Sequence, residues 1–131
     1  MNENEERLAV HLDQLEKAIK TLKDAFEKKS PSQLERDGTI QRFEYTIELA
    51  WKTIQSYMRG KDLRGLSPKD VFDYAFKKGI MDNVNEWKAL LAARNKTSHM
   101  YNRNIADEIY LTVKEKHTLI DQLIDSLKSL M

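Results

Sequence analysis

The stretch Arg94-Asn95-Lys96-Thr97-Ser98-His99-Met100-Tyr101 gathers the side chains best suited to chemistry in this 131-residue chain. Arginine presents planar donors that match phosphate or carboxylate oxygens. Histidine can take or give a proton near neutral pH. Asn95, Thr97 and Ser98 carry short hydrogen-bonding side chains that disfavour a helix interior, and Lys96 and Arg103 add positive charge. Arg94 falls where the apolar face set by Trp87, Leu90 and Leu91 comes round again, so it requires a carboxylate, an anion or a water-filled cleft beside it. On a straight helix Arg94 and His99 would diverge by about 140° around the axis. Either the helix breaks between them, or the two act in a cleft shared with another chain. The plain alternative is an arginine held in a salt bridge and a histidine filling a gap at a helix end.

The elements around this stretch read as helices. Leu8, Leu12, Leu15, Ile19, Leu22 and Phe26 are spaced alternately by four and three, one apolar stripe that Ser30-Pro31 stops. A second helix begins near Asp37-Gly38 or shortly before and ends around Gly60. Its broad aromatic stripe of Ile40, Phe43, Ile47, Ala50, Trp51, Ile54 and Met58 places it at the centre of the bundle, as core rather than a cofactor box, with its Glu and Arg residues in solvent. Ser67-Pro68-Lys69-Asp70 reads as an N-cap, a first-turn proline and an acidic first turn. A shorter helix follows through Val71, Phe72, Ala75 and Phe76, closed by Gly79. Asn83 or Asp82 caps a fourth helix running to Arg94. A last long helix starts near Asn104 and carries Ile105, Ile109, Val113, Ile120, Ile124 and Leu127. The pattern predicts a single all-α domain over residues 1–131, an antiparallel up-and-down bundle of four to five helices. The turns and the Trp and Phe content favour this over a coiled coil.

Composition narrows the function. Net charge is +1, from 22 basic and 21 acidic residues, so strong nonspecific attraction to DNA, RNA or anionic membranes is not expected and nucleic-acid chemistry would need a local cluster. No apolar run approaches the roughly 20 residues that span a bilayer. The polar, acidic start (Asn2-Glu3-Asn4-Glu5-Glu6) is unlike a signal peptide, and the expectation is a cytoplasmic protein. Without cysteines there are neither disulfides nor thiolate metal sites. The histidines lie far apart, His11 and His117 reading as surface or bundle-edge residues, so neither metal nor cofactor is expected. Phosphate-binding glycine loops are absent, and Asn95-Lys96-Thr97 matches a glycosylation sequon only by chance in an unsecreted chain.

Arg94-x4-His99-x-Tyr101, with Asn95 after the arginine, resembles the Arg-x(4–6)-His signature of the HEPN superfamily of small helical proteins. More narrowly it is similar to HepT-type toxins and to nucleotidyltransferase substrate-binding proteins. The likeness extends to Arg36-Asp37-Gly38-x-Ile40-Gln41-Arg42-Phe43-Glu44 and Glu48-Leu49-Ala50-Trp51-Lys52, which read like the second-helix block of the substrate-binding subfamily.

That resemblance implies a helical bundle that forms a homodimer and works with a cognate minimal nucleotidyltransferase, as a heterotetramer or larger assembly. In the toxin branch, a type VII-like toxin–antitoxin pair, Arg94 and His99 of both protomers would form a metal-independent ribonuclease cleft, with Asn95 beside them. The transferase would attach AMP to Tyr101 and silence the enzyme. In the alternative branch the chain is a non-catalytic substrate-binding subunit of the transferase. Metal-free RNA cleavage uses the neighbouring 2′-hydroxyl, so it needs a proton-transfer group and cationic charge on the phosphorane, which these residue types supply. One histidine per chain is few for acid and base together; a two-fold dimer brings a second.

Overall fold

The first helix starts because Asn2 caps it: the Asn2 side chain accepts from the Glu5 amide, and Glu3, Glu5 and Glu6 face the positive end of the helix dipole. This helix, α1 (Glu3–Phe26), buries the stripe Leu8, Leu12, Leu15, Ile19 and Leu22. It ends several residues before Pro31, and the chain turns through Ser30 at φ 51°. In this computed structural model residues 2–61 and 67–131 are described.

The second helix, α2 (Gln33–Arg59), begins earlier than Asp37-Gly38. Ser32 and Glu35 form a capping box: the Ser32 hydroxyl accepts from the Glu35 amide at 3.1 Å, and the Glu35 carboxylate accepts from the Ser32 amide at 2.9 Å. α1 and α2 run antiparallel along their whole length. Lys28 pairs with Glu35, Arg42 Nη1 donates to the Thr21 carbonyl at 2.6 Å, and His11 Nδ1 meets the hydroxyl of Ser56. The buried hydroxyls of Thr39, Thr46 and Thr53 donate back to carbonyls four residues earlier. Among the described residues no buried side-chain nitrogen or oxygen lacks a partner.

The remaining helices wrap α2. α3 (Pro68–Lys77) is capped by Ser67 with Asp70 as expected. Gly79, at φ 71°, closes it: the Ile80 amide donates to Ala75 O at 2.9 Å and the Gly79 amide to Phe76 O at 3.2 Å, a Schellman motif. α4 (Val84–Asn95) follows Asn83, which holds the cap position in a left-handed conformation without a side-chain cap bond and donates instead to Gln122 at 3.4 Å.

The expected last helix is two. α5 (Arg103–Lys116) and α6 (Thr118–Ser129) meet at His117, giving six α-helices among the described residues rather than four or five. His117 keeps helical dihedrals but tightens the chain, because the Ile120 amide bonds to the His117 carbonyl three residues back. Its imidazole stacks on Phe26 at 4.9 Å, so it packs at the bundle edge between helices. α6 returns along α1, with Lys23–Asp121 at 2.6 Å and Lys128–Glu16 at 2.7 Å.

Phe43, Ile47, Ala50 and Ile54 of α2 share one core with Trp87, Leu90, Ile109, Ile120 and Leu127, confirming α2 as the central element. The described residues include no strand and no helix long and apolar enough to cross a membrane.

Candidate functional site

The segment 94–102 is where α4 stops and α5 begins. Helical hydrogen bonding ends as Lys96 closes α4, and a single 3-10 turn, Thr97–His99, carries the chain round. The Thr97 hydroxyl donates to Arg94 O at 2.8 Å, and the His99 amide to Lys96 O at 2.9 Å. Asn102 then caps α5, its side chain accepting from the amides of Asn104 at 3.0 Å and Ile105 at 3.3 Å. Short polar side chains thus replace the helical ladder, which is the break that the residue types anticipate. A Lys96–Glu108 ion pair at 2.8 Å fastens the end of α4 to α5.

Arg94 is not on the buried face. Ala93 takes that position, and its small side chain lets α5 approach through Ile109 and Thr112. The Arg94 side chain is 46% exposed and leans toward α2, with Nη2 at 3.7 Å from Glu48 Oε2. That separation is a loose ion pair, beyond hydrogen-bond length. Glu48 is not simply solvated: it accepts from Trp51 Nε1 at 2.9 Å and pairs with Lys52 at 3.5 Å. The guanidinium is therefore held near a carboxylate that has other partners, and an incoming anion can draw it away at small cost.

His99 and Tyr101 project from the turn. Their rings lie edge to face, 6.1 Å apart, and Tyr101 is 86% exposed, against the usual tendency of an aromatic ring to bury itself. Among the described residues the His99 imidazole has no hydrogen-bond partner. The structure brings His99 and Tyr101 together and places Arg94 and Asn95 one turn earlier, on the side facing α2 and α3. No bond within the chain joins the two pairs among the described residues.

Arg94 and Asn95 stand at the edge of a groove of about 400 Å³ between α2, α3 and α4, floored by Trp51, Phe72 and Phe76. The aromatic stripe of α2, expected as core, opens onto this groove at Trp51. Trp51 is only half-buried, and the Glu48/Trp51 spacing of three was the available signal. His11 lies at the bundle edge, its ring bonding Ser56 between α1 and α2. Burial first, then the charges of Arg59, Arg7 and Lys52, hold its pKa below the usual value.

A family model for nucleotidyltransferase substrate-binding protein-like chains matches residues 10–129. The chain belongs to that family. A crystal structure from Thermus thermophilus is similar at 38% identity and a TM-score of 0.77, over 87% of this chain and 98% of that one. A Haemophilus influenzae protein named as a probable ribonuclease HepT is 30% identical over 95 residues, 66% of this chain; the match spans 65% of that relative's length. A solved structure from Haemophilus influenzae, described as revealing the fold of a substrate-binding domain of a nucleotidyltransferase, shares the fold at 24% identity and a TM-score of 0.65, over 92% of this chain and 96% of that one.

Proposed function

We propose that this chain is the HepT-like toxin of a toxin–antitoxin pair, a homodimeric, metal-independent ribonuclease silenced by AMP transfer from a cognate nucleotidyltransferase. The observation that carries the reading is the α4–α5 turn, an exposed helix junction that projects His99 and Tyr101 one turn after the loosely paired Arg94. Likeness to a relative named as a ribonuclease HepT supports it.

In the proposed reaction the ribose 2′-oxygen attacks the adjacent phosphorus and the 5′-oxygen leaves. One protomer's His99 takes the 2′-hydroxyl proton, and the other's protonates the departing 5′-oxygen. Arg94 leaves Glu48 and bonds to the phosphorane oxygens as charge accumulates there. Products are a 2′,3′-cyclic phosphate and a 5′-hydroxyl. Silencing follows if Tyr101 Oη attacks the α-phosphorus of ATP on the transferase, releasing pyrophosphate and the phenolic proton. The resulting phosphodiester puts a bulky anion beside His99.

The test is cleavage of total RNA by purified dimer in excess EDTA. Parent protein is expected to leave cyclic phosphate ends, with His99→Ala slower by about 100-fold or more. Equal cleavage by His99→Ala removes the histidine from the mechanism. The second reading, a non-catalytic substrate-binding subunit, is favoured by the family that matches residues 10–129. A folded, AMP-free dimer without cleavage selects it.

A further inference from the structure

We propose that the groove between α2, α3 and α4 is a base subsite for single-stranded RNA: one unpaired base stacks on Trp51 while Lys69, Lys88 and Arg94 hold the phosphates beside it. This rests on the ribonuclease reading and assigns that site its substrate contact.

The groove's volume, about 400 Å³, falls within the range of small-molecule pockets, about 300–1,000 Å³. Such a hollow admits a single splayed base and excludes a duplex, whose bases are stacked. Its floor is aromatic. Trp51 is oriented by the bond from Nε1 to Glu48, so its polar edge is already satisfied and its ring serves as a stacking platform. Phe72 and Phe76 of α3 and Leu91 of α4 complete the apolar walls.

The rim is cationic. Among the described residues Lys69 and Lys88 line the groove with Arg94, against a single lining carboxylate, Asp73. Glu48, just behind, accepts from Trp51 Nε1 and pairs with Lys52, so its charge stays partly compensated when Arg94 turns to the phosphates. An aromatic floor beneath an excess of positive charge complements a nucleotide rather than a neutral apolar peptide. Asn95 at the edge offers an amide donor and acceptor to the polar edge of a base. Because Arg94 belongs both to this rim and to the proposed cleavage cleft, the base in the groove neighbours the scissile phosphate. The chain's near-zero net charge then matters little, since the positive charge is concentrated where the strand enters.

The experiment is steady-state cleavage of a fluorogenic single-stranded RNA in EDTA by the full-length dimer. Trp51→Ala is expected to raise KM by about 5- to 100-fold, with kcat little changed, and Trp51→Phe to recover most of that loss. Lys88→Glu, an exposed position whose change leaves the core intact, should also raise KM. Unchanged KM in both Trp51→Ala and Lys88→Glu, while the parent cleaves and His99→Ala does not, overturns the subsite and leaves the ribonuclease standing. If the parent does not cleave at all, the ribonuclease reading fails and the groove is read by mononucleotides. Trp87 is buried, so quenching by 5′-AMP, GMP, CMP or UMP reports Trp51. Saturable quenching that Lys88→Glu weakens supports the subsite; no quenching by any of the four overturns it.

Discussion

His11 lies between α1 and α2 with its ring against the buried Ser56 hydroxyl, whereas His99 stands on the 3-10 turn with its ring in solvent. The arginines divide in the same way. Arg42 gives a short hydrogen bond to the backbone of α1, and Arg36 is bracketed by Asp107 at 3.3 Å and the face of Tyr110 at 5.1 Å. Among the described residues Arg94 has only a loose carboxylate neighbour. The helical hairpin uses these side chains to hold elements together, whereas at the α4–α5 junction Lys96 and Asn102 do so and Arg94 and His99 are left to meet something else. Residue type alone does not separate structural from reactive groups; the number of partners does.

The largest effect should come from breaking the turn's side of this contrast. His99→Ala is expected to abolish most cleavage yet shift stability by less than about 0.5 kcal/mol in urea denaturation, because the ring is exposed and among the described residues meets only the likewise exposed Tyr101. A large stability loss would mean that the imidazole is structural after all. His11→Ala should do the reverse. It leaves the buried Ser56 hydroxyl without its partner, costing about 1–3 kcal/mol at pH 8, while cleavage is unaffected.

The same histidine gives the hairpin a pH dependence. Folding keeps His11 neutral by lowering its pKa, so the unfolded chain binds that proton first as pH falls through 6.5. Its contribution is present above that value and lost below it. Thermal midpoints measured from pH 8 to 5 should therefore fall more steeply for the parent than for His11→Ala. Parallel curves would assign the acid sensitivity elsewhere. A smaller effect sharpens the comparison from the hairpin's side. Gly38 sits inside α2 with open space where a Cβ would be, so Gly38→Ala should stabilise the chain by about 0.5–1 kcal/mol. A loss of stability on dimerisation would instead place a second chain against that face.

Periodicity reveals α1 and the centre of α2 because nearly all of the apolar residues of those stripes are buried over several turns, Phe26 and Trp51 being the partly exposed ones. Boundaries were harder. The Ser32–Glu35 capping box was legible, yet Asp37-Gly38 looked like a start because glycine disfavours helix interiors; here the helix runs through it. The break at His117 left no mark, since the residue stays in helical dihedrals and the apolar spacing continues past it. Counting threes and fours puts Arg94 on the buried face, but α4 buries Trp87, Leu90 and Ala93, a run of threes that leaves Arg94 outside. Its neighbour Glu48 comes from a different helix, which no local pattern reveals. The break after Arg94 was readable from residue types; the groove beside it needed three helices in place.

The six-residue connection between α1 and α2 bears on how the molecule assembles. Two long helices joined so closely meet with little loop entropy to overcome, while α6 reaches α1 only after most of the chain has been made. During synthesis the hairpin can close first, with Phe43, Ile47 and Ile54 awaiting the later helices that cover them. The interval between hairpin closure and the docking of α5 and α6 is when a nascent chain is most exposed to aggregation, and lesions in α6 lengthen it.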